Sequence, residues 1–173
     1  MAALPEIVIG TTIACSFILF GNAITQSFMG VPVLLVDFPP PSSPEHADRA
    51  RLLGRQWPTF WRVGNVLFRS ISTFGIFGYG YTAWEASSRG TGGTLGDWRA
   101  YAISALCHLT TVVHSAMNMQ PLNEKLNALK DPKGKVDSKL AESYAREWIR
   151  LNTVRLITPA IAGTLALTQA LRG

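Results

Sequence analysis

Four mainly apolar stretches, each about as long as a membrane-spanning helix, divide this sequence. A helix that crosses a bilayer needs roughly 20 predominantly apolar residues. Only 16% of the residues are charged, against about a quarter in a soluble domain, and the charges gather between the stretches. The sequence therefore predicts an all-α fold, an integral membrane antiparallel four-helix bundle in one domain of residues 1–173. The predicted spans cover approximately residues 7–28, 60–84, 98–119 and 149–171.

The segments between these spans predict an orientation. Residues 37–59 begin with a proline-rich run, and residues 120–148 contain an amphipathic stretch and a turn. Counted to Arg62 and to Arg150, these two loops carry four and seven Lys or Arg residues, while the opposite side carries three. Because cytosolic loops are enriched in Lys and Arg, both long loops are expected to be cytosolic. We expect a multi-pass protein of the endoplasmic reticulum or another endomembrane. Its net charge of +5 is expected to face the membrane surface and not to bind nucleic acid.

Polar side chains recur within the spans at spacings of three or four residues, which places each set on one face of a helix. The sets are Asn22 and Gln26 in the first span, Trp61, Asn65 and Arg69 in the second, Cys107, Thr111, His114 and Asn118 in the third, and Trp148, Asn152 and Arg155 in the fourth. Polar groups at membrane depth are costly and face the bundle interior. In an up-and-down bundle all four sets lie near the long loops, so they predict one polar chamber that opens toward the cytosol.

Arg69 and Arg155 are the most informative of these residues, because no Asp or Glu lies in any span to pair with them. An unpaired cation at membrane depth needs an anionic ligand, backbone carbonyls or water. The sequence favours a functional role for Arg155 and leaves Arg69 open between ligand binding and an interfacial position. Each asparagine taken alone is better explained by a hydrogen bond between helices, and each histidine by a buried hydrogen bond.

Short motifs in a fixed order give the sequence a family resemblance. The third span ends in a Pro-X-Asn-X-X-Leu pattern at residues 121–126, and the fourth opens with a Trp-X-X-X-Asn-X-X-Arg pattern at residues 148–155. The first span ends in Ser-Phe-Met-Gly-Val-Pro at residues 27–32, and the second opens with Gln56, Trp57 and Gly64. Over nearly the whole chain, this set resembles the four-span membrane family, described as a domain of unknown function, that includes the fungal anthrone oxygenases.

The resemblance implies a monooxygenase, and therefore an oxidoreductase, that acts without a cofactor. Such enzymes use O₂ as co-substrate and oxidise the central methylene of an anthrone to give an anthraquinone in polyketide biosynthesis, a part of secondary metabolism. The substrate would be a flat, hydrophobic aromatic polyketide that partitions into lipid. The reaction requires a base, donors for the developing oxyanion and a dry aromatic pocket.

Side-chain chemistry suggests which residues would carry this reaction. His114, or with less support His108, is the candidate base, because histidine titrates near neutral pH. Arg155, helped by Asn152 and Asn118, is expected to stabilise the oxyanion. The substrate-binding candidates are Trp61 and Trp148, which would stack on the rings, and Asn65, Arg69, Gln26 and Asn123, which would position the hydroxyl groups or brace the bundle.

Two other functions fit the same residues. A non-enzymatic membrane carrier would hold an anionic amphiphile through Arg155 and Arg69. A redox membrane protein would bind haem or a quinone between His108 and His114. No resident metal is expected, because the two cysteines lack metal-type spacing and the third histidine, His46, lies in the proline-rich loop. The sequence leaves the exact substrate and the oligomeric state open.

Overall fold

The computed structural model describes residues 3–89 and 95–172, with the side chains of Ala3, Val63 and Asn65 left out, and contains no strand in those ranges. The described residues form four long helices. The first, residues 3–34, joins α1 (Ala3–Thr25), a π-helical segment (Gln26–Gly30) and α2 (Val31–Leu34). The second, residues 46–89, joins α3 (His46–Val63), a π-helical segment (Gly64–Phe68) and α4 (Arg69–Arg89). The third, residues 98–128, joins α5 (Trp98–His114), a π-helical segment (Ser115–Met119) and α6 (Gln120–Ala128). The fourth is α7 (Ala141–Ala170), preceded by a 3₁₀ turn (Ser138–Leu140).

Local sequence explains several helix ends. The Asp97 carboxylate accepts a hydrogen bond from the backbone N–H of Arg99 and caps α5. Asp137 caps the 3₁₀ turn in the same way through the backbone N–H of Lys139. The predicted turn after the third helix is present, since the Gly134 N–H donates to the Asp131 carbonyl at 3.0 Å. The all-α fold is confirmed, and the helices extend beyond the predicted spans into both long loops.

The four helices pack in a closed ring, in which each contacts the helices before and after it and the fourth contacts the first. Hydrogen bonds show that neighbours are antiparallel, because Asn152, near the start of the fourth helix, bonds to Ala23 and Ser27 near the end of the first. Two hydrophobic clusters fill the ends of the bundle. The cluster near the long loops includes Leu53 and Leu126, and the cluster at the opposite end includes residues such as Tyr79, Tyr101 and Ala162.

Polar side chains are buried between the helices, and large apolar side chains are exposed on the outside of the bundle. Many of its buried interior side chains carry hydroxyl, amide or imidazole groups, namely Thr12, Ser16, Ser72, Thr82, Ser104, His108, Thr111 and Asn152. Large apolar side chains stand outward on all four helices, for example Phe28 (71% exposed), Phe77 (71%), Met117 (70%) and Ile157 (47%). By length and composition, one helix of the described chain, Leu4–Leu34, is apolar enough to cross a membrane.

His46 joins the two long loops to each other. Its Nδ1 lies 2.7 Å from the carbonyl oxygen of Pro39, and its Nε2 lies 2.9 Å from that of Ser138. The ring is buried and packs edge-on against Phe38, with 5.5 Å between the ring centroids. The proline-rich segment and the start of the fourth helix are thereby held together next to the bundle.

Gly75 is expected to tolerate no side chain, because the second and third helices approach closely there. A Cβ atom on Gly75 would overlap the ring of His108, which is buried. Overpacking of this kind costs about 1–3 kcal/mol, so Gly75→Ala should lower the thermal unfolding temperature of the protein in detergent. Gly80→Ala on the same helix is the control, since its Cβ would meet nothing within 4 Å. Equal unfolding temperatures for the two variants would contradict the packing described here.

Candidate functional site

A cavity lies inside the bundle at the level of the three π-helical segments. The space between its walls is about 680 Å³ when the open mouth is included. Only about 50 Å³ of this space can hold the centre of a water molecule, so the cavity is narrow. All four helices contribute to its lining, which consists of Leu19, Ala23, Gln26, Phe60, Trp61, Gly64, Phe68, Arg69, Ser72, Thr111, Val112, Ser115, Met119, Asn123, Trp148 and Arg155.

The π-helical segments position several of these residues. Gln26 comes from the segment in the first helix, Gly64 and Phe68 from the one in the second, and Ser115 and Met119 from the one in the third. A π-helical segment is rare and is found frequently at functional sites. Three of the four helices carry one at the same level, and all three segments border the cavity. The sequence analysis missed this feature.

Two arginines line the cavity, and neither has a partner among the described residues. Neither Arg69 nor Arg155 forms a hydrogen bond or an ion pair within residues 3–89 and 95–172. Arg155 is half-buried, whereas Arg69 is exposed. No carboxylate of the described residues lines the cavity beside them. Their positive charges are therefore uncompensated by the part of the chain that the structure describes.

Two further polar atoms of the lining residues are unsatisfied. The Trp61 Nε1 donor and the Gln26 Oε1 acceptor are buried and have no hydrogen-bond partner among the described residues. Orphaned buried groups of this kind are rare, because each costs about 1–3 kcal/mol. Together with the arginines, they form a set that is rich in donors and has one strong acceptor.

Six of the eleven residues predicted from the sequence line this cavity. They are Gln26, Trp61, Arg69, Asn123, Trp148 and Arg155. Asn65 belongs to the π-helical segment of the second helix, but its side chain lies outside the described part of the structure. The structure does not bring His108, His114, Asn118 or Asn152 to the cavity lining. Their assignments as catalytic residues stay predictions.

His114 is held between the third and fourth helices. Its Nε2 donates to the carbonyl oxygen of Leu151 at 2.9 Å, and its Nδ1 accepts from Nδ2 of Asn118 at 2.9 Å. This pattern assigns the neutral tautomer with the proton on Nε2. Both ring nitrogens are occupied, so proton abstraction by His114 would require one of these bonds to open.

His108 lies in a buried network on the side of the cavity away from the long loops. Its Nε2 is 2.9 Å from the Ser16 hydroxyl oxygen, which is also 2.8 Å from the Tyr79 hydroxyl oxygen. All three side chains are fully buried, and Ser16 also donates to the Thr12 carbonyl. The network connects the first, second and third helices. Ser16 and Tyr79 were missed by the sequence analysis, since nothing in the local pattern marks a contact across 63 residues.

Asn152 ties the fourth helix to the first. Its Nδ2 donates to the carbonyl oxygen of Ala23 at 3.2 Å and to the Ser27 hydroxyl at 2.9 Å. Its Oδ1 is buried and lacks a partner within the described chain. The geometry is that of an interhelical hydrogen bond beside the cavity, which is the alternative that the sequence left open for each asparagine.

Asn123 connects three helices at the floor of the cavity, next to the long loops. Its Oδ1 accepts from Nε1 of Trp148 at 2.9 Å and from Nε1 of Trp57 at 3.2 Å. The two indole rings meet edge to face, with centroids 5.5 Å apart. Asn123 and Trp148 come from the two motifs that define the family resemblance, and Trp57 is the partner that the sequence analysis did not assign to the site.

The residues that line the cavity combine aromatic surface with uncompensated positive charge. Phe60, Trp61, Phe68 and Trp148 supply aromatic surface, and the narrow shape suits a planar ring system. Unpaired guanidinium and indole donors suit an oxyanion, especially in a site that excludes water. Across the described ranges, no group of three or more His, Cys, Asp or Glu side chains is placed to hold a metal ion.

Comparison with known proteins supports one family. No curated protein and no solved structure matches the sequence. The family model for anthrone oxygenase matches residues 57–165, which is well over half of the chain. The matched region contains every lining residue of the second, third and fourth helices, including Arg69 and Arg155. The chain belongs to the anthrone oxygenase family.

Proposed function

We propose that this protein is a membrane-embedded, cofactor-independent monooxygenase that converts an anthrone-like polycyclic phenol into an anthraquinone with O₂. The observation that carries the proposal is the pair of unpaired arginines in a narrow aromatic cavity. Membership of the anthrone oxygenase family supports the reaction class. The unsatisfied Gln26 and Trp61 atoms support a ligand that carries both a hydroxyl group and a carbonyl or phenolate oxygen.

The proposed reaction needs no reductant. Loss of one proton from the central methylene gives an enolate, which passes one electron to O₂. The resulting carbon radical and superoxide combine to form a C–O bond, and protonation gives a hydroperoxide. Loss of the second C–H proton then breaks the O–O bond and releases water. The methylene has become a carbonyl, and the two oxygen atoms of O₂ are divided between the quinone and water.

The chain's own residues act on the enolate in this scheme. Arg155 lies deeper than Arg69 and stabilises the negative oxygen, which lowers the free energy of the anion and of the transition state that leads to it. Trp61 donates to the same region, and Gln26 accepts from a ring hydroxyl. Because neither His114 nor His108 lines the cavity, we assign the proton to water at the cavity mouth.

We also propose that all four helices span the membrane. The exposed large apolar side chains on all four helices and the polar side chains buried between them support this arrangement. The charged residues support it as well. Arg69 and Arg155 are the only Lys, Arg, Asp or Glu residues in 7–36, 63–84, 100–123 and 151–171. The proposal places the loops 37–59 and 120–148 on the cytosolic face of an endomembrane such as the endoplasmic reticulum.

One assay tests these proposals together. We expect membranes of a host that expresses the chain to show anthrone-dependent oxygen uptake, which persists after a carbonate wash, with chelator present and no added flavin. Membranes of the host without the chain are the control for spontaneous oxidation of the anthrone. Uptake no faster than in this control would contradict the oxygenase. Binding of the anthrone without turnover would instead support the carrier function, which the unpaired arginines also suit.

A further inference from the structure

The charges in the cavity exceed what the proposed reaction requires. The enolate carries one negative charge, whereas Arg155 and Arg69 carry two positive charges and no carboxylate of the described residues lines the cavity. Arg155 suffices to stabilise the reacting oxygen. We propose that Arg69 binds a second, permanent anionic group of the ligand, a carboxylate, so that the preferred substrate is a carboxylated polycyclic aromatic. This inference rests on the proposed function and specifies its substrate class.

The position of Arg69 supports a role in recognition and not in chemistry. It begins α4, directly after the π-helical segment, and its side chain is exposed while it also lines the cavity. Ser72, one turn further along, is buried and lines the cavity too, so this face of the helix borders the cavity from its interior to Arg69. A charged group at the mouth meets a ligand substituent that points outward, whereas the half-buried Arg155 meets the ring system.

The surroundings of Arg69 make an unpaired state costly. Val66 and Leu67, in the preceding turn, are 75% and 51% exposed, so the helix next to Arg69 presents apolar side chains to the proposed lipid. A cation at such a position needs an anionic oxygen. Two sources can supply one, a ligand carboxylate or the phosphate of a lipid headgroup. Arg69 lies seven residues beyond Arg62, about 10 Å of helix from the charged end of the bundle, which favours the ligand in the cavity.

The inference can be tested by binding two matched probes that are not consumed. Anthraquinone-2-carboxylate and anthraquinone-2-carboxamide have the same rings and differ in charge. Quenching of tryptophan fluorescence measures their affinity for the full chain in nanodiscs of zwitterionic lipid. We expect the wild type to bind the carboxylate at least about tenfold more tightly, because hydrogen bonds to charged groups are the stronger ones. Arg69→Gln should abolish this preference, and Arg62→Gln, an exposed residue of the same helix outside the cavity, should retain it.

Other results of the binding experiment would contradict the role proposed for Arg69. Equal affinities in the wild type, or a preference that survives Arg69→Gln, would overturn the inference. A preference that is present in a phosphate-free maltoside detergent and absent in the phospholipid nanodiscs would show that a lipid phosphate occupies Arg69, which also overturns it. Oxygen uptake with an uncharged anthrone separates the two proposals. Oxygen uptake without a carboxylate preference would support the oxygenase and contradict the role of Arg69. A carboxylate preference without oxygen uptake would contradict the oxygenase and support a carrier of carboxylated aromatics.

Discussion

Replacement of Arg155 by glutamine is expected to lower anthrone-dependent oxygen uptake by about 100- to 1000-fold, the range found when a donor to a developing oxyanion is removed. Arg155 is half-buried, lines the cavity and has no ion-pair partner within the described chain, so its charge is available to the substrate. Glutamine keeps hydrogen-bond donors at this position but removes the charge. The loss should appear mainly in kcat, because the enolate has more charge on oxygen than the bound anthrone has.

Arg150→Gln is the matched control for this variant. Arg150 lies on the same helix, is exposed and is 3.9 Å from the Glu147 carboxylate, outside the cavity. Its replacement should leave oxygen uptake close to that of the wild type. Thermal unfolding of both variants in detergent separates a loss of chemistry from a loss of folded protein. Wild-type kcat in a folded Arg155→Gln protein would refute the role assigned to this guanidinium.

Replacement of Asn123 by leucine is expected to destabilise the protein by about 2 kcal/mol or more. The leucine would leave two buried indole N–H groups, those of Trp57 and Trp148, without an acceptor, and each orphaned donor costs roughly 1–3 kcal/mol. The loss would affect three helices at once, since Trp57, Asn123 and Trp148 lie on the second, third and fourth helices. Thermal unfolding of the detergent-solubilised protein measures the effect.

Asn127→Leu is the control for this prediction. Asn127 lies one turn further along α6, and its Oδ1 accepts only from the exposed Lys130 Nζ at 3.0 Å. It should change stability by less than about 0.5 kcal/mol, as surface substitutions do. Adding Trp57→Phe to Asn123→Leu should recover part of the loss, because one orphaned donor is then removed. An Asn123→Leu protein as stable as the wild type would refute the bracing role.

Much of this fold follows from the sequence because its signals are local. Apolar length and the polar and proline-rich segments between the stretches are properties of short windows, and they predicted four helices in an up-and-down order. Helical spacing also placed Gln26, Trp61, Arg69 and Arg155 on interior faces, and the structure brings these four residues to one cavity. The missing Asp and Glu in the spans identified the two arginines as unpaired before any contact was known.

The parts that the sequence did not yield depend on backbone register and on long-range contacts. Residues three and four positions beyond Thr111 both lie on its side of a helix, so spacing alone allowed either His114 and Asn118 or Ser115 and Met119 to face inward. In the structure Ser115 and Met119, the two ends of the π-helical segment, line the cavity. The bonds of Asn123 to Trp57 and of His108 to Ser16 join residues 66 and 92 positions apart, and no local pattern encodes such distances.

The three π-helical segments also predict how the protein responds to the deletion of a single residue. An α-helix turns by about 100° per residue, so deleting one residue from such a segment would return it to α geometry and rotate everything beyond it by that angle. A deletion within Ser115–Met119 would swing Asn123 away from both tryptophans. The orientation of the lining residues beyond each segment therefore depends on the length of the backbone as well as on the identity of the side chains.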